Sequence, residues 1–235
     1  MVGKSNYFVG MPPSPRLRGT YRTDLPARAV YAEGAGIYRI VPAAIAIPAD
    51  IADLAHLVRW AGAEGIPLVP RGAGSGMAGG NVGDGVVVDL ARIGDRRVSI
   101  HPEQRRASAA ASVTHLELNR AAGAHDLRLP PDPSSGRFAT LGGMLSTNAA
   151  GARTVRYGSV RRWVEAAELV TADGDVVRLA RGQSPRGGSS LADRFDTSVA
   201  PRIRAAAGTI AEVFPGTRKN SSGYALDAWL ASGDL

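Results

Sequence analysis

Short apolar runs alternate with segments of helical spacing along the first ninety residues. Ala43 to Ile47, bounded by Pro42 and Pro48, predicts a buried strand. Asp50 stands in an N-cap position, and Ile51, Leu54, Leu57, Val58 and Ala61 follow at the spacing of one helix face. Ile66 to Pro70 predicts a second strand, which Pro67 moves toward an edge or a ladder start. Val86 to Leu90 predicts a third. Further on, Val98 to His101 and Arg105 to Ser112 read as strands, and Thr114 to Ala122 as a helix burying either Leu116 with Ala121 or Leu118 with Ala122. Pro130 to Ser135 is a rigid polar turn, and Thr140 to Met144 a loop entering a short helix. Val164 to Thr171 and Val176 to Leu179 predict a hairpin turned at Asp173-Gly174. Gln183 to Ser190 reads as a flexible loop, and Val199 to Phe214 as one amphipathic helix with Pro201 in its first turn. Residues 1 to about 36 show no period and read as an irregular arm. Strands and helices alternating in this way give an α+β fold without internal repeats.

Composition narrows the function classes. The 235 residues are 44% hydrophobic and 21% charged, as in ordinary globular chains. No apolar run is long enough to cross a bilayer, so no membrane anchor is encoded, and the first twenty residues lack the apolar core of a signal peptide. The cysteine count is zero, which removes disulfides, thiolate metal sites and cysteine nucleophiles. The formal charge of +7 invites a nucleic-acid reading. However, all basic residues but Lys4 and Lys219 are arginines spread over the whole length, and aromatics are only 6%, so no nucleic-acid partner is expected.

The candidate chemistry lies in three segments. Arg71-Gly72-Ala73-Gly74-Ser75-Gly76-Met77-Ala78-Gly79-Gly80 sits between two predicted strands. Glycine there permits positive φ and close backbone approach, and successive N–H groups can form an anion-binding concavity. Gly74, Gly76 and Gly79 match G-x-G-x-x-G, but that fingerprint must open a helix. Gly80 to Gly85 cannot be helical and a strand follows, so the nicotinamide-dinucleotide reading fails. The second segment runs from Pro131-Asp132-Pro133-Ser134-Ser135 through Thr140-Leu141-Gly142-Gly143 to Ser146-Thr147-Asn148-Ala149-Ala150-Gly151. Small hydroxyl and amide side chains among glycines suit a ligand-lining backbone, with Gly142-Gly143 offering N–H groups at a helix start; a tight turn before a capped helix is the plainer alternative. The third is Arg156-Tyr157-Gly158-Ser159, where Tyr157 packs on a flat ligand or fills a core gap.

In this order and spacing, the segments resemble the FAD-binding domain of FAD-linked oxidases and dehydrogenases, the PCMH-type (vanillyl-alcohol-oxidase-like) fold. The similarity is strongest to the D-lactate, glycolate and D-2-hydroxyglutarate dehydrogenase branch. It rests on Val69 to Gly76, Ala139 to Gly143 with Thr147 to Gly151, and Tyr157 to Ser159, extended by Tyr38-Arg39 to Pro48 and Lys219 to Tyr224. The resemblance implies two α/β subdomains, a small one with parallel strands over 37–110 and a larger one with a mixed or antiparallel sheet over 111–235. It implies pyrophosphate contacts from Pro70, Arg71, Gly72, Ala73, Gly74, Ser75 and Gly76. Pro131, Asp132, Pro133, Ser134, Thr140, Leu141, Gly142 and Gly143 would line the rest of the cofactor, with Asn148, Gly151 and Tyr157 as further contacts.

Covalent members of the wider fold carry histidine where this chain has Ser75, so the resemblance implies non-covalent FAD. The family's next stretch and substrate cap do not follow Leu235, so the chain reads as the N-terminal part of a longer, cytoplasmic enzyme or one peripheral to a membrane through partners. Its implied partners are a small 2-hydroxy acid, bound through the cap, and an electron acceptor. No catalytic residue is nominated and no metal is expected within the chain; Lys219 and Asn220 are the residues nearest to an active-site role. The competing reading is a non-catalytic module for a phosphate ligand, or a scaffold.

Overall fold

Strand β1 (Thr20–Arg22) opens a four-stranded sheet with β2 (Ala44–Ile47), β3 (Leu68–Arg71) and β4 (Val86–Asp89), in the order β1-β2-β4-β3. The structure is a computed structural model that describes residues 14–186, 190–217, 220 and 223–233. β2 and β3 flank β4 in parallel, and β1 adds antiparallel to β2. Pro67 ends up where its missing N–H does least harm, just before an edge strand. Helix α1 (Leu25–Val30) follows β1, N-capped by the Asp24 carboxylate. Residues 20–30 therefore contribute a strand and a helix where the sequence predicts irregular chain. A three-residue strand is too short to show a period, and Pro26 hides α1 although proline is well tolerated in a first turn.

Helix α2 (Ile51–Glu64) covers one face of this sheet. Asp50 accepts from the Asp53 N–H at its start, and Gly65 ends it in the left-handed conformation at φ 65°. Leu57 and Ala61 pack with Ala44, Ala46, Ile66, Val86 and Val88 into the main core. Burying one leucine fully is worth roughly 1.5–3 kcal/mol, so Leu57 is a principal anchor of α2.

A second device ties the N-terminal strand to this helix. Asp53 is only 4% exposed, and its carboxylate accepts from the backbone N–H groups of Arg18, Gly19 and Ala49 at 3.0, 2.9 and 2.9 Å. Burial pushes the carboxyl upward, but the three N–H donors outweigh it and hold the pKa below the usual carboxylate value. A depressed folded pKa contributes stability above the unfolded value, and that stability is lost as pH falls through the folded one. Asp53→Asn is therefore expected to cost about 1–3 kcal/mol at neutral pH. The gap to wild type should close in acid, below roughly pH 4. Thermal melts across pH check this; a pH-independent difference would contradict it.

The remaining chain builds the second part of the fold. β5 (Val98–His101) and β6 (Arg106–Ala109) form an antiparallel pair, and α3 (His115–Gly123) contacts β5. Thr114 and Glu117 close a reciprocal cap on α3, while Leu118 and Ala122 face inward, choosing between the two faces left open by the sequence. α4 (Leu141–Ser146) and the short α5 (Thr154–Tyr157) precede a three-stranded sheet of β7 (Ala166–Val170), β8 (Val176–Ala180) and β9 (Gln183–Arg186). The hairpin turns at Asp173-Gly174, where Gly174 takes φ 78°.

β9 replaces the first half of the expected loop 183–190. Gly182 at φ 64° turns the chain back, so that Gln183 pairs with Ala180. After α6 (Ser190–Arg194), the expected helix 199–214 divides into α7 (Ala200–Ala205) and α8 (Ala207–Val213), because Ala206 leaves helical geometry at φ −88°, ψ 6°. α9 (Leu226–Ser232) sets Trp229 edge-on against Phe195 at 5.5 Å.

Candidate cofactor site

The glycine loop leaves β3 after Arg71 and re-enters the sheet at Val86 in β4, with no helix between. Two parallel neighbours need a crossover of a dozen or more residues, and here a bare loop supplies it. This is a strand–loop–strand device, as the sequence requires.

Bracing from outside holds the loop open. Ala35 N–H donates to the Gly74 carbonyl at 3.0 Å, and the Asn81 side chain donates to the Gly76 carbonyl at 2.9 Å. The Tyr38 ring lies against Gly79, whose φ of 84° and crowded α-carbon leave no room for a side chain. Within the loop, the N–H groups of Gly72 through Ala78 donate to no protein acceptor among the described residues. A run of unengaged N–H groups on a braced turn is what an anion-binding concavity requires.

Arg71 differs from its expected role as an anion contact. Its guanidinium turns behind the loop, donating to the carbonyls of Tyr31 and Asn81 at 3.2 and 3.4 Å and lying 5.3 Å from the Tyr31 ring centroid. A side chain on Gly74 would meet it at 2.6 Å. Tyr31 in turn donates to the Asp89 carboxylate at 2.6 Å; burial first, then this bond, pushes its pKa up to about 12. Arg71, Tyr31, Asp89 and Asn81 form the loop's frame. Tyr31, Asp89 and Asn81 carry no local signal in the sequence, because theirs is spatial: a tyrosine before the first core strand, and an aspartate at the end of the third.

The second segment meets the first at one point. Gly72 packs its α-carbon on the Thr140 hydroxyl, and any side chain there would overlap it. Thr140 also caps α4 by accepting from Gly143 N–H at 3.3 Å. Leu141 and Gly142 N–H groups donate to the carbonyls of Val113 and Ala111 at 2.8 and 2.9 Å. The helix start therefore spends the Gly142 and Gly143 N–H groups inside the fold, which is the plainer of the two readings the sequence left open. Gly142 lets the helix close on Ala111, where a side chain would sit 2.9 Å from the Ala111 β-carbon.

Pro131 to Pro133 meets Gly151 in the same way. Gly151 fits beneath the Asp132 carbonyl, which a side chain would overlap. Asp132 pairs with Arg153 at 3.3 Å, and Pro131 is fully buried, while Ser134 is exposed. Buried His115 steadies this turn, with its Nε2 2.8 Å from Asn119 Nδ2 and the Gly136 carbonyl accepting from Leu116 N–H. Asn148, at φ 47°, accepts from Arg161 N–H through its side-chain Oδ1 at 3.3 Å and so holds the chain after α5. Tyr157 lies at the side of a surface groove with Arg128, Arg153 and Arg156. Lys219 lies outside the described residues. No group of three or more metal-ligating side chains occurs among the described residues.

A family profile described as an FAD binding domain matches residues 42–180, which includes the whole loop and both contact points. Three relatives are similar in sequence. D-lactate dehydrogenase of Archaeoglobus fulgidus is 30% identical over 172 residues, 72% of this chain and 37% of its own length. D-2-hydroxyglutarate dehydrogenase of Pseudomonas putida is 35% identical over 61% of this chain and 15% of its own. Glycolate oxidase subunit GlcD of Bacillus subtilis is 32% identical over 60% and 30%. The chain thus spans between about a sixth and two fifths of the length of these relatives. In structure it is similar to 6-hydroxy-D-nicotine oxidase of Arthrobacter nicotinovorans, with a TM-score of 0.61 at 24% identity over 73% of this chain and 38% of that one. A BBE-like protein of Physcomitrella patens also scores 0.61, at 21% identity over 69% and 36%. The chain belongs to the FAD-binding domain family and has the PCMH-type fold.

Proposed function

We propose that the N–H groups of Gly72 through Ala78 hold the FAD pyrophosphate, and that the chain is the cofactor-binding part of a dehydrogenase for a D-2-hydroxy acid. The observation that carries this is the contrast within the fold. N–H groups at the start of α4 are satisfied internally, whereas those of the glycine loop have no protein acceptor among the described residues. Several N–H groups converging on a phosphate give short, charge-assisted hydrogen bonds, and a loop already braced spends little entropy on binding. Thr140, seated on Gly72, fixes the backbone segment that meets this loop.

When bound, the flavin supplies the two-electron acceptor for oxidation of the hydroxy acid to its 2-oxo acid. This chain's own residues bind, orient and keep the site rigid. Binding is non-covalent in this account: Ser75 occupies the loop and no histidine lies between Arg71 and Gly80. The relatives named D-lactate dehydrogenase, D-2-hydroxyglutarate dehydrogenase and glycolate oxidase support the substrate class. Mixing the chain with FAD and desalting tests the binding part, and adding D-lactate, glycolate or D-2-hydroxyglutarate anaerobically to a chain extended to include the family's substrate cap tests the substrate class. Retained flavin absorbance that one acid bleaches is expected. Absorbance retained but bleached by none of them would remove the substrate class and leave the binding role.

Arg71 gives a separate test of the loop frame. Arg71→Ala is expected to weaken FAD about tenfold, the effect of losing charge-assisted bonds that hold the loop. The salt dependence of binding should stay as in wild type, because the guanidinium faces loop carbonyls rather than phosphate. Titrations at two ionic strengths check this, and a flattened salt dependence would make Arg71 a direct counter-ion.

A further inference from the structure

The surface carries a groove of about 520 Å³ lined by Arg128, Ala152, Arg153, Val155, Arg156 and Tyr157. Three of its six lining residues are arginines. Arg128 and Arg156 place their guanidinium carbons 5.6 and 5.3 Å from the Tyr157 ring centroid, and Arg128 donates to the Tyr157 hydroxyl at 3.3 Å. The ring itself is held: Trp163 meets it edge-on at 6.3 Å and donates its indole N–H to the Tyr157 carbonyl at 3.0 Å. The hydrogen bond from Arg128, followed by the charges of Arg156, Arg128 and Arg153, lowers the Tyr157 pKa, a sign of a positive field at the groove.

Neutralisation within the groove is partial. Arg153 shares the Asp132 carboxylate, while Arg128 and Arg156 join no ion pair among the described residues. Like charges gathered on one ring repel, and an oxyanion between them relieves that repulsion while accepting forked bonds from planar guanidiniums. Apolar lining completes the picture, since Val155 is 78% exposed and adjoins Ala152. A carbon chain with a carboxylate at each end matches charged and apolar walls together.

We propose that this groove is an oxyanion site distinct from the flavin loop, taking a small dicarboxylate, with phosphate as the other ligand of the same chemistry. Calorimetric titration of the whole chain with glutarate and with inorganic phosphate tests it. Saturable glutarate binding is expected, weakened about tenfold by Arg128→Gln or by Arg156→Gln, each removing one charge-assisted contact. Arg178→Gln, on β8 outside the groove, should change nothing, and melting curves should show every variant folded. Glutarate should also screen the arginine charges, raise the Tyr157 pKa and so reduce tyrosinate absorbance at a fixed alkaline pH, and Tyr157→Phe should remove that signal. Tighter binding of phosphate than of glutarate would assign the site to phosphate. Three results overturn the proposal: no saturable binding of either anion, an equal loss in Arg178→Gln, or binding abolished by saturating FAD, which would merge the groove with the cofactor site.

Discussion

Gly74→Val is expected to lower FAD affinity by at least about a hundredfold, roughly 3 kcal/mol, while the chain stays folded. Two costs combine. Gly74 sits at φ 68°, where a β-branched residue is strained, and the new side chain would enter the Arg71 guanidinium at 2.6 Å. The simplest expectation from sequence is that a side chain here would collide with the pyrophosphate. The structure gives another route: the side chain collides with the brace behind the loop and forces the N–H groups out of their curve. Gly74 is buried, yet it lies beyond the sheet and outside the main core, so melting should fall only modestly. Quenching of FAD fluorescence measures the affinity. Wild-type affinity in the folded variant would remove the loop from the site.

Gly151→Ala carries the larger stability effect. A β-carbon on Gly151 would overlap the Asp132 carbonyl and lie 2.7 Å from the Pro133 nitrogen, and neither backbone atom can rotate away as a side chain could. The crossing of the 131–133 turn over the 148–151 turn must open, which is expected to cost about 3 kcal/mol. In a chain of this size, that lowers the melting temperature by roughly 6–12 °C. Circular-dichroism melts decide it; an unchanged midpoint would show that the two turns separate without cost.

Much of this architecture is legible from local chemistry. Helix α2 announces both ends, with Asp50 before the apolar face and Gly65 after it, and the caps found are those residues. The β7–β8 hairpin is readable because Asp173-Gly174 supplies a turn that few other pairs can. Elements without such punctuation escape. β1 is too short to show a period, β9 is an edge strand containing Pro185, and the division between α7 and α8 leaves the apolar pattern undisturbed.

The site was legible in its segments and not in its atoms. Glycine pairs look alike in sequence, whether they free N–H groups or let backbones touch. Gly72 and Gly74 do both, joining a run of unengaged N–H groups while packing on Thr140 and Arg71. Gly142 and Gly143 serve packing and capping, and their N–H groups are already spent. The resemblance implies a pyrophosphate contact from Arg71; only the positions of Tyr31 and Asn81 show its side chain as a brace.

Amide-resolved NMR of the chain, with and without FAD, tests the central claim most directly. The account predicts that the N–H signals of Gly72 through Ala78 shift downfield and become protected from exchange on FAD addition, while those of Leu141 and Gly142, already bonded inside the protein, barely move. FAD binding that leaves the glycine-loop amides unchanged, or an absence of binding, would contradict it.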